Sequence, residues 1–219
     1  MLSADFVEIR SDDLFIVHLM YATTENMPRR NAYHEIGLGD RCFAHRHVVE
    51  NLEKLRPELV KRDLKLKIFD AYRPPLAHQL LMDRVPVRGL FAETPFRSQH
   101  CHGTAVDVCL TDREGKELPY PTRVDAYTAE FAQQLTAGNF APYQEELRKA
   151  AYSYHPPYED EKTANRALLR QLMEDAGFEA FSDEWWHFNL PDGAKYPLID
   201  FAVDSETGEF IFTPLPDPA

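Results

Sequence analysis

Cysteine and positive charge are both scarce in this sequence. Only three of its 219 residues are cysteines, Cys42, Cys101 and Cys109. An odd number of so few cysteines forms no disulfide framework and agrees with a reducing compartment. The 24 Lys and Arg residues are outnumbered by 36 Asp and Glu residues, so the net charge is −12. That charge disfavours nucleic acid and anionic membranes as partners.

Long hydrophobic runs are missing as well. No apolar stretch approaches the roughly 18 residues that a membrane helix requires. The first ten residues carry Asp5 and Glu8 and lack the basic start and apolar core of a secretory peptide. We therefore expect a cytoplasmic protein with no membrane partner.

The length and the order of the segments predict one α+β domain over residues 1–219. We expect a central antiparallel sheet that carries the functional site, flanked by helices. Residues 1–20 are interpreted as an N-terminal extension and residues 213–219 as a loose, proline-rich tail. The predicted helices are 42–62 with a break near Arg56, 74–83, 126–137 and 161–176; the predicted strands are 15–20, 64–70, 104–110 and 185–190, with a final hairpin at 198–203 and 209–212.

Residues 98–107, Ser-Gln-His-Cys-His-Gly-Thr-Ala-Val-Asp, contain the first half of a metal-binding pattern. Gly103 and the β-branched residues after it argue against a helix and favour a loop, a turn and then a strand. In that strand Asp107 shares one face with the small Ala105, while the other face is apolar and is expected to pack into the core. Asp107 is therefore predicted to point toward a cleft.

The segment Glu-Trp-Trp-His at residues 184–187 supplies the second half of the pattern. Glu184 has the wrong parity to share a strand face with His187, so the chain has to turn or bulge near Glu184. His100, Asp107 and His187 offer two imidazoles and a carboxylate, which can bind one zinc ion and leave a fourth position open for water. Glu184 would then take the proton from that water.

These two motifs together resemble those of the zinc D-alanyl-D-alanine dipeptidases, the VanX-like branch of peptidase family M15. Residues 70–74, Asp-Ala-Tyr-Arg-Pro, resemble the arginine motif of the same family, with alanine where glycine is common. Residues 21–23, Tyr-Ala-Thr, and 123–125, Arg-Val-Asp, resemble two further short motifs of the family and follow the expected order along the chain. The resemblance thus spans roughly residues 20 to 190, and departures after Asp125 leave the pocket shape open.

The resemblance implies zinc-dependent hydrolysis of D-alanyl-D-alanine, or of a close D,D-dipeptide, to free amino acids in cell-wall metabolism. It implies one zinc ion per chain, held by His100, Asp107 and His187. Glu184 would be the general base and later the proton donor to the leaving amine. Arg73 would stabilise the negative oxygen of the tetrahedral intermediate, because a guanidinium is always charged and rich in donors.

The resemblance also implies residues that bind the substrate. Asp125 would meet the free ammonium of the dipeptide, and Ser98 and Tyr21 would line the pocket. Asp125 directly precedes a predicted helix, so a helix N-cap is an equally good role for it.

One metal ligand and the arginine each have a second interpretation. His102 could bind the metal in place of His100, whereas Cys101 fits better as a small buried residue. Arg73 could serve a purely structural role as the partner of Asp70.

Two other functions compete with a dipeptidase. A D,D-carboxypeptidase or endopeptidase would act on longer peptidoglycan peptides, and the lack of an export signal argues against it. A zinc-bearing binding domain without hydrolysis would be expected to lack the base or the arginine, and both Glu184 and Arg73 are present. The oligomeric state stays open, and a homo-oligomer is compatible with the sequence.

Overall fold

A five-stranded sheet lies at the centre of the part of the chain that this computed structural model describes, residues 5–26, 28–84, 91–124 and 160–216. The strands described are β1 (Phe6–Ile9), β2 (Phe15–Val17), β3 (Cys42–His45), β4 (Lys65–Asp70), β5 (Ala105–Thr111), β6 (Glu179–Ala180), β7 (His187–Asn189), β8 (Ile199–Val203) and β9 (Phe210–Pro214). The helices described are α1 (Ala32–Glu35), α2 (Arg46–Glu53), α3 (Arg56–Arg62), α4 (Pro75–Arg84) and α5 (Glu161–Asp175).

The central sheet has the order β2-β4-β5-β7-β6. Strands β4, β5, β7 and β6 pair antiparallel, as the sequence predicts for the strands around the site. Strand β2 pairs parallel with β4, so the complete sheet is mixed rather than wholly antiparallel. The predicted α+β class, with helices beside a central sheet, is confirmed.

Strand β5 occupies the middle of this sheet and is buried along its whole length. Its apolar face, Val106, Val108 and Leu110, is completely excluded from solvent. Asp107 lies on the opposite face, as the alternation predicts. A buried carboxylate in a central strand needs charged or hydrogen-bonding partners, and His187 of β7 and His100 supply them.

The segment predicted as one helix over residues 42–62 is divided into three elements, and the prediction is wrong for its first four residues. All four side chains of β3 are buried, and β3 pairs antiparallel with β1. This tertiary pairing outweighs the local helical pattern. The break between α2 and α3 falls at residues 54–55, just before Arg56, because Pro57 is accommodated in the first turn of α3.

Helices α4 and α5 and the final hairpin lie where the sequence predicts, but two predicted strands are shorter: β2 ends at residue 17 rather than 20, and β7 covers only residues 187–189 of the predicted 185–190. Helix α4 begins at Pro75, and α5 begins after Asp160, whose side chain accepts a hydrogen bond from the Thr163 backbone amide. Strands β8 and β9 form the final hairpin, and residues 213 and 214 extend β9. The predicted helix 126–137 lies outside the described residues. No helix among the described residues is long and apolar enough to cross a membrane.

An aromatic cluster joins the two two-stranded sheets, β1-β3 and β8-β9. Phe6 of β1 stacks on Phe212 of β9 with ring centroids 4.7 Å apart, and it meets Tyr72 edge-on at 5.0 Å. The Phe6 ring also lies against Gly103, which has a left-handed backbone with φ of +69°. Gly103 therefore serves both the turn before β5 and the close approach of Phe6.

Replacing Gly103 with Ala is expected to lower the free energy of unfolding by about 2–4 kcal/mol, from the left-handed backbone and the overlap of the new methyl group with Phe6. Gly39→Ala is the matched control, because Gly39 has φ of +65° and nothing within 4 Å of an added Cβ. Urea unfolding of both variants measures the difference. Equal losses would contradict the clash with Phe6.

Candidate metal centre

The register of β5 and β7 brings two of the predicted ligands face to face. Asp107 and His187 are direct cross-strand partners, so their side chains project from the same face of the sheet. His187 Nδ1 lies 2.9 Å from Asp107 Oδ1. His100 reaches the same point from the short 3-10 helix Gln99–His102, with its Nε2 at 3.3 Å from Asp107 Oδ2 and 3.1 Å from His187 Nδ1.

The outer nitrogen of each imidazole is already engaged in a hydrogen bond. His100 Nδ1 lies 2.8 Å from the Ala71 carbonyl oxygen, and His187 Nε2 lies 2.9 Å from Asn189 Oδ1. Both outer nitrogens are therefore donors in the neutral rings, and the inner nitrogens are left with lone pairs. Such outer contacts orient histidine ligands in metal sites.

The three inner atoms form a donor set that a cation would complete. Two imidazole lone pairs and a carboxylate point at one another, and their ligand atoms all lie within 4.8 Å. Without a shared proton or a cation, lone pairs at these separations repel. The set of two nitrogens and one oxygen is one that zinc accepts in catalytic sites, with one position left for water. The residues present therefore fit a bound metal ion.

The electrostatics of the centre also favour positive charge there. Burial raises the pKa of Asp107, but interactions with His100 and His187 outweigh burial and hold that pKa far below its usual value. Burial lowers the pKa of His100, but the charges of Asp107 and Asp70 outweigh it and raise the pKa. The carboxylate thus stays ionised and attracts a cation.

Glu184 lies beside this donor set, on the turn that the sequence requires. The His187 amide donates to the Glu184 carbonyl oxygen at 3.3 Å, which closes a turn through the two tryptophans. The turn brings Glu184 Oε2 to 3.7 Å from His187 Nδ1, while the Glu184 side chain keeps 28% of its surface exposed. Glu184 is therefore near the centre and still reachable by solvent.

The two tryptophans of this turn are buried and hold it in place. Trp185 stacks on Tyr120 with ring centroids 4.1 Å apart and an interplanar angle of 9°, and its Nε1 donates to Thr122 Oγ1 at 2.8 Å. Trp186 packs into the hydrophobic core. The turn is thus anchored on both sides, which fixes the distance between Glu184 and His187.

Arg73 is buried and paired with Asp70. Its Nε and Nη2 donate to Asp70 Oδ2 at 2.8 and 2.6 Å, and its Nη2 lies 4.0 Å from Asp107 Oδ2. Burial lowers the pKa of Arg73, but Asp70 and the other nearby groups outweigh burial and raise it well above its usual value. The structural pairing with Asp70 and a position beside the donor set are therefore both present.

Sequence reasoning missed the residues that support these groups. Tyr33 is fully buried, and its hydroxyl donates to Asp70 Oδ1. The Ala71 carbonyl and the Asn189 side chain orient the two imidazoles. Asn189 could have been found from its position two residues after His187 on the same strand face. Tyr33 has no such signal, because only the fold brings it to Asp70.

Comparisons with known proteins identify the family of the chain. The family model described as D-ala-D-ala dipeptidase matches residues 6–205.

The chain belongs to the D-alanyl-D-alanine dipeptidase family.

Curated members of this dipeptidase family are similar to the chain over most of its length. A D-alanyl-D-alanine dipeptidase of Escherichia coli (strain K12) is 30% identical over 183 residues, covering 84% of this chain and 82% of the relative. One of Enterococcus faecium is 27% identical, covering 71% of this chain and 77% of the relative. A third, of Synechocystis sp., is 24% identical over 66% of this chain. These dipeptidase relatives indicate a peptidase that acts on a small peptide.

The structure gives the positions of most of the remaining predicted residues. Tyr21 is buried, and the Arg73 guanidinium lies 4.6 Å from its ring centroid, so it borders the centre. Ser98 is buried immediately before the 3-10 helix of His100. Cys101 is buried, as predicted for a structural residue. Asp125 lies outside the described residues.

His102, the second candidate for a histidine ligand, points elsewhere. Its Nδ1 lies 2.7 Å from the Tyr196 carbonyl oxygen, and its Nε2 lies 3.1 Å from the Phe96 carbonyl oxygen. Both ring nitrogens thus face backbone acceptors rather than the donor set. Among the described residues, the group that could hold a metal consists of His100, Asp107 and His187.

Removal of the two neighbouring histidines is expected to separate their roles. His100→Ala should lose the bound metal ion, because it removes one of the three converging ligands. His102→Ala is the matched control and should retain the metal, although it loses the two carbonyl contacts. Mass spectrometry of metal content per chain, after gel filtration, checks both variants. Metal loss from His102→Ala alone would make His102 the ligand instead of His100.

Proposed function

We propose that this chain is a zinc-dependent dipeptidase that hydrolyses D-alanyl-D-alanine, or a close D,D-dipeptide, to free amino acids. One zinc ion per chain would be bound by His100, Asp107 and His187. The observation that carries this proposal is the convergence of three ligand atoms, with both outer imidazole nitrogens already hydrogen bonded. The names of the relatives supply the substrate class.

Zinc, when bound, supplies Lewis acidity for the scissile carbonyl and lowers the pKa of the attacking water. His100 and His187 would present their inner nitrogens to the ion, because their outer nitrogens donate to the Ala71 carbonyl oxygen and to Asn189 Oδ1. Asp107 contributes the negative charge of the ligand set. Three protein ligands leave room for water and substrate, as expected for catalysis rather than for a closed structural site.

Glu184 is the proposed general base. Its carboxylate lies 3.7 Å from a ligand nitrogen and is partly exposed, so water and substrate can reach it. It would accept the proton from the attacking water and then donate it to the leaving amine nitrogen. The two buried tryptophans that follow Glu184 anchor the turn that carries it.

Arg73 is the proposed stabiliser of the oxyanion. Its charge is permanent, and its contacts with Asp70 use Nε and Nη2 of a group that has five N–H donors. Asp70 orients the guanidinium toward Asp107 and the metal ligands, where negative charge would develop on the carbonyl oxygen. Pairing with Asp70 thus serves the catalytic role instead of replacing it.

The proposed substrate contacts are Ser98, Tyr21 and Asp125. Tyr21 and Ser98 are supported by their burial next to Arg73 and His100, respectively. Asp125 rests on the resemblance to the family alone, as the partner of the substrate ammonium. The proposal includes a cytoplasmic role in cell-wall metabolism, with which three buried, free thiols are compatible.

Zinc analysis together with a peptide assay tests the function directly. We expect one zinc per chain and release of D-alanine from D-alanyl-D-alanine, with no turnover of L-alanyl-L-alanine. A pentapeptide that ends in D-alanyl-D-alanine is the comparison for a carboxypeptidase. Faster cleavage of the pentapeptide would favour a carboxypeptidase, and zinc without turnover of any peptide would favour a binding domain.

Glu184→Gln is expected to lower kcat by about 10²–10⁴-fold, because the amide cannot accept the proton of water. Zinc content should stay at one per chain, since all three ligands remain. Glu179→Gln on the exposed strand β6 is the matched control and should keep the wild-type kcat. A metal-replete Glu184→Gln enzyme with a normal rate would remove Glu184 from the mechanism.

Arg73→Lys is expected to lower kcat by about 10²–10³-fold, as for loss of an oxyanion donor. Lysine keeps the charge but lacks the planar fork that pairs with Asp70 and aims at the carbonyl oxygen. The Michaelis constant should change less than kcat. Steady-state kinetics with zinc content and the unfolding midpoint as controls measure this, and an unchanged kcat would leave Arg73 with only the structural pairing.

A further inference from the structure

Two phenylalanines lie on opposite sides of the polar centre. The sheet order places Arg73, which follows β4, and His187, on β7, on either side of the central β5. Phe91 contacts Arg73, with the guanidinium carbon 5.9 Å from its ring centroid. Phe181 contacts His187, with ring centroids 5.3 Å apart at 63°. Each aromatic ring therefore borders a group of the proposed chemistry.

Phe181 is unusually exposed for a large aromatic side chain. It keeps 39% of its surface accessible, although it directly follows the edge strand β6. Its backbone amide donates to the His187 carbonyl oxygen at 3.0 Å, so Phe181 is hydrogen bonded to β7, the strand that carries His187. An exposed aromatic ring that is fixed beside the candidate metal ligands can form part of a ligand-binding wall.

Phe91 is held in place by a buried histidine of α4. His78 is fully excluded from solvent, and its Nε2 donates to the Ala92 carbonyl oxygen at 2.9 Å. The His78 ring also meets the Phe91 ring edge-on at 5.9 Å. Burial and the charge of Arg73 lower the pKa of His78 to about 4. The neutral His78 ring thus donates a hydrogen bond from Nε2 to the Ala92 carbonyl oxygen. This bond connects Ala92, the residue after Phe91, to α4.

The groups that surround the proposed metal are mainly polar or charged. A D,D-dipeptide such as D-alanyl-D-alanine carries two methyl groups as well as its charged ends. Binding pockets place apolar and aromatic side chains against such groups and use polar atoms only at a few points. Phe91 beside Arg73 and Phe181 beside His187 are apolar surfaces in suitable positions for the two methyl groups.

We propose that Phe91 and Phe181 are the specificity-determining walls that receive the side chains of the dipeptide, with His78 as the positioning residue for Phe91. This inference rests on the proposed dipeptidase function. It identifies the residues that select substrates with small side chains. The bulk of the two rings limits the space beside the metal centre. Their removal should admit larger side chains.

Phe91→Ala and Phe181→Ala test this inference with D-alanyl-D-alanine, D-alanyl-D-leucine and D-leucyl-D-alanine. Each variant should raise KM for D-alanyl-D-alanine about tenfold, keep one zinc per chain and change kcat less than threefold, in line with the roughly 10–200-fold effect of small changes in apolar pockets. The ratio of kcat/KM for at least one leucine substrate to that for D-alanyl-D-alanine should rise about tenfold.

Val203→Ala is the control for loss of an exposed apolar side chain, because Val203 is 45% exposed on β8, outside the central sheet. Wild-type KM and selectivity in both phenylalanine variants would overturn the inference while leaving the dipeptidase function intact. A wild-type protein that cleaves none of the three peptides would overturn the proposed function and the inference together.

Two substitutions of His78 separate positioning from bulk stability. His78→Leu fills similar space without a donor and should reproduce the higher KM of Phe91→Ala. His78→Gln keeps an N–H for the Ala92 carbonyl and should recover most of the lost affinity. Equal KM values for His78→Leu and wild type would remove His78 from this role, whatever the change in unfolding temperature.

Discussion

The pairing of Asp107 with His187 across two antiparallel strands is the constraint on which the whole centre depends. Side chains alternate along a strand, so a slip of one residue between β5 and β7 would send one of the two to the opposite face. The apolar face of β5 opposes such a slip, because it would expose Val106 and Val108 and bury charge in their place. The core therefore enforces the geometry of the candidate metal-binding group.

The two buried carboxylates at the centre each have their own set of partners. Asp107 lies between two imidazoles, and Asp70 lies between Arg73 and the hydroxyl of Tyr33. Isolated buried charges are strongly destabilising, and partners with complete hydrogen bonds offset that cost. The two networks meet where Arg73 approaches Asp107, so a substitution in one network is expected to affect the other.

The fold class and the three converging ligands were predictable from the sequence, because strand alternation and the short motifs determine them locally. The turn at Glu184 followed from its parity relative to His187. The supporting contacts were not predictable, since Tyr33 is 37 positions from its partner Asp70 and a backbone carbonyl such as that of Ala71 carries no sequence signal. The helical pattern at 42–45 failed because pairing with β1 is a long-range effect.

The outer contacts of the two imidazoles differ in kind. His100 is held by a main-chain oxygen, which every amino acid at position 71 would provide, whereas His187 is held by the side chain of Asn189. Substitution at position 71 would therefore preserve the acceptor for His100, whereas substitution of Asn189 would remove the acceptor for His187. Substitution of residue 189 can therefore change how basic and how rigid the His187 imidazole is, while His100, Asp107 and His187 themselves stay unchanged.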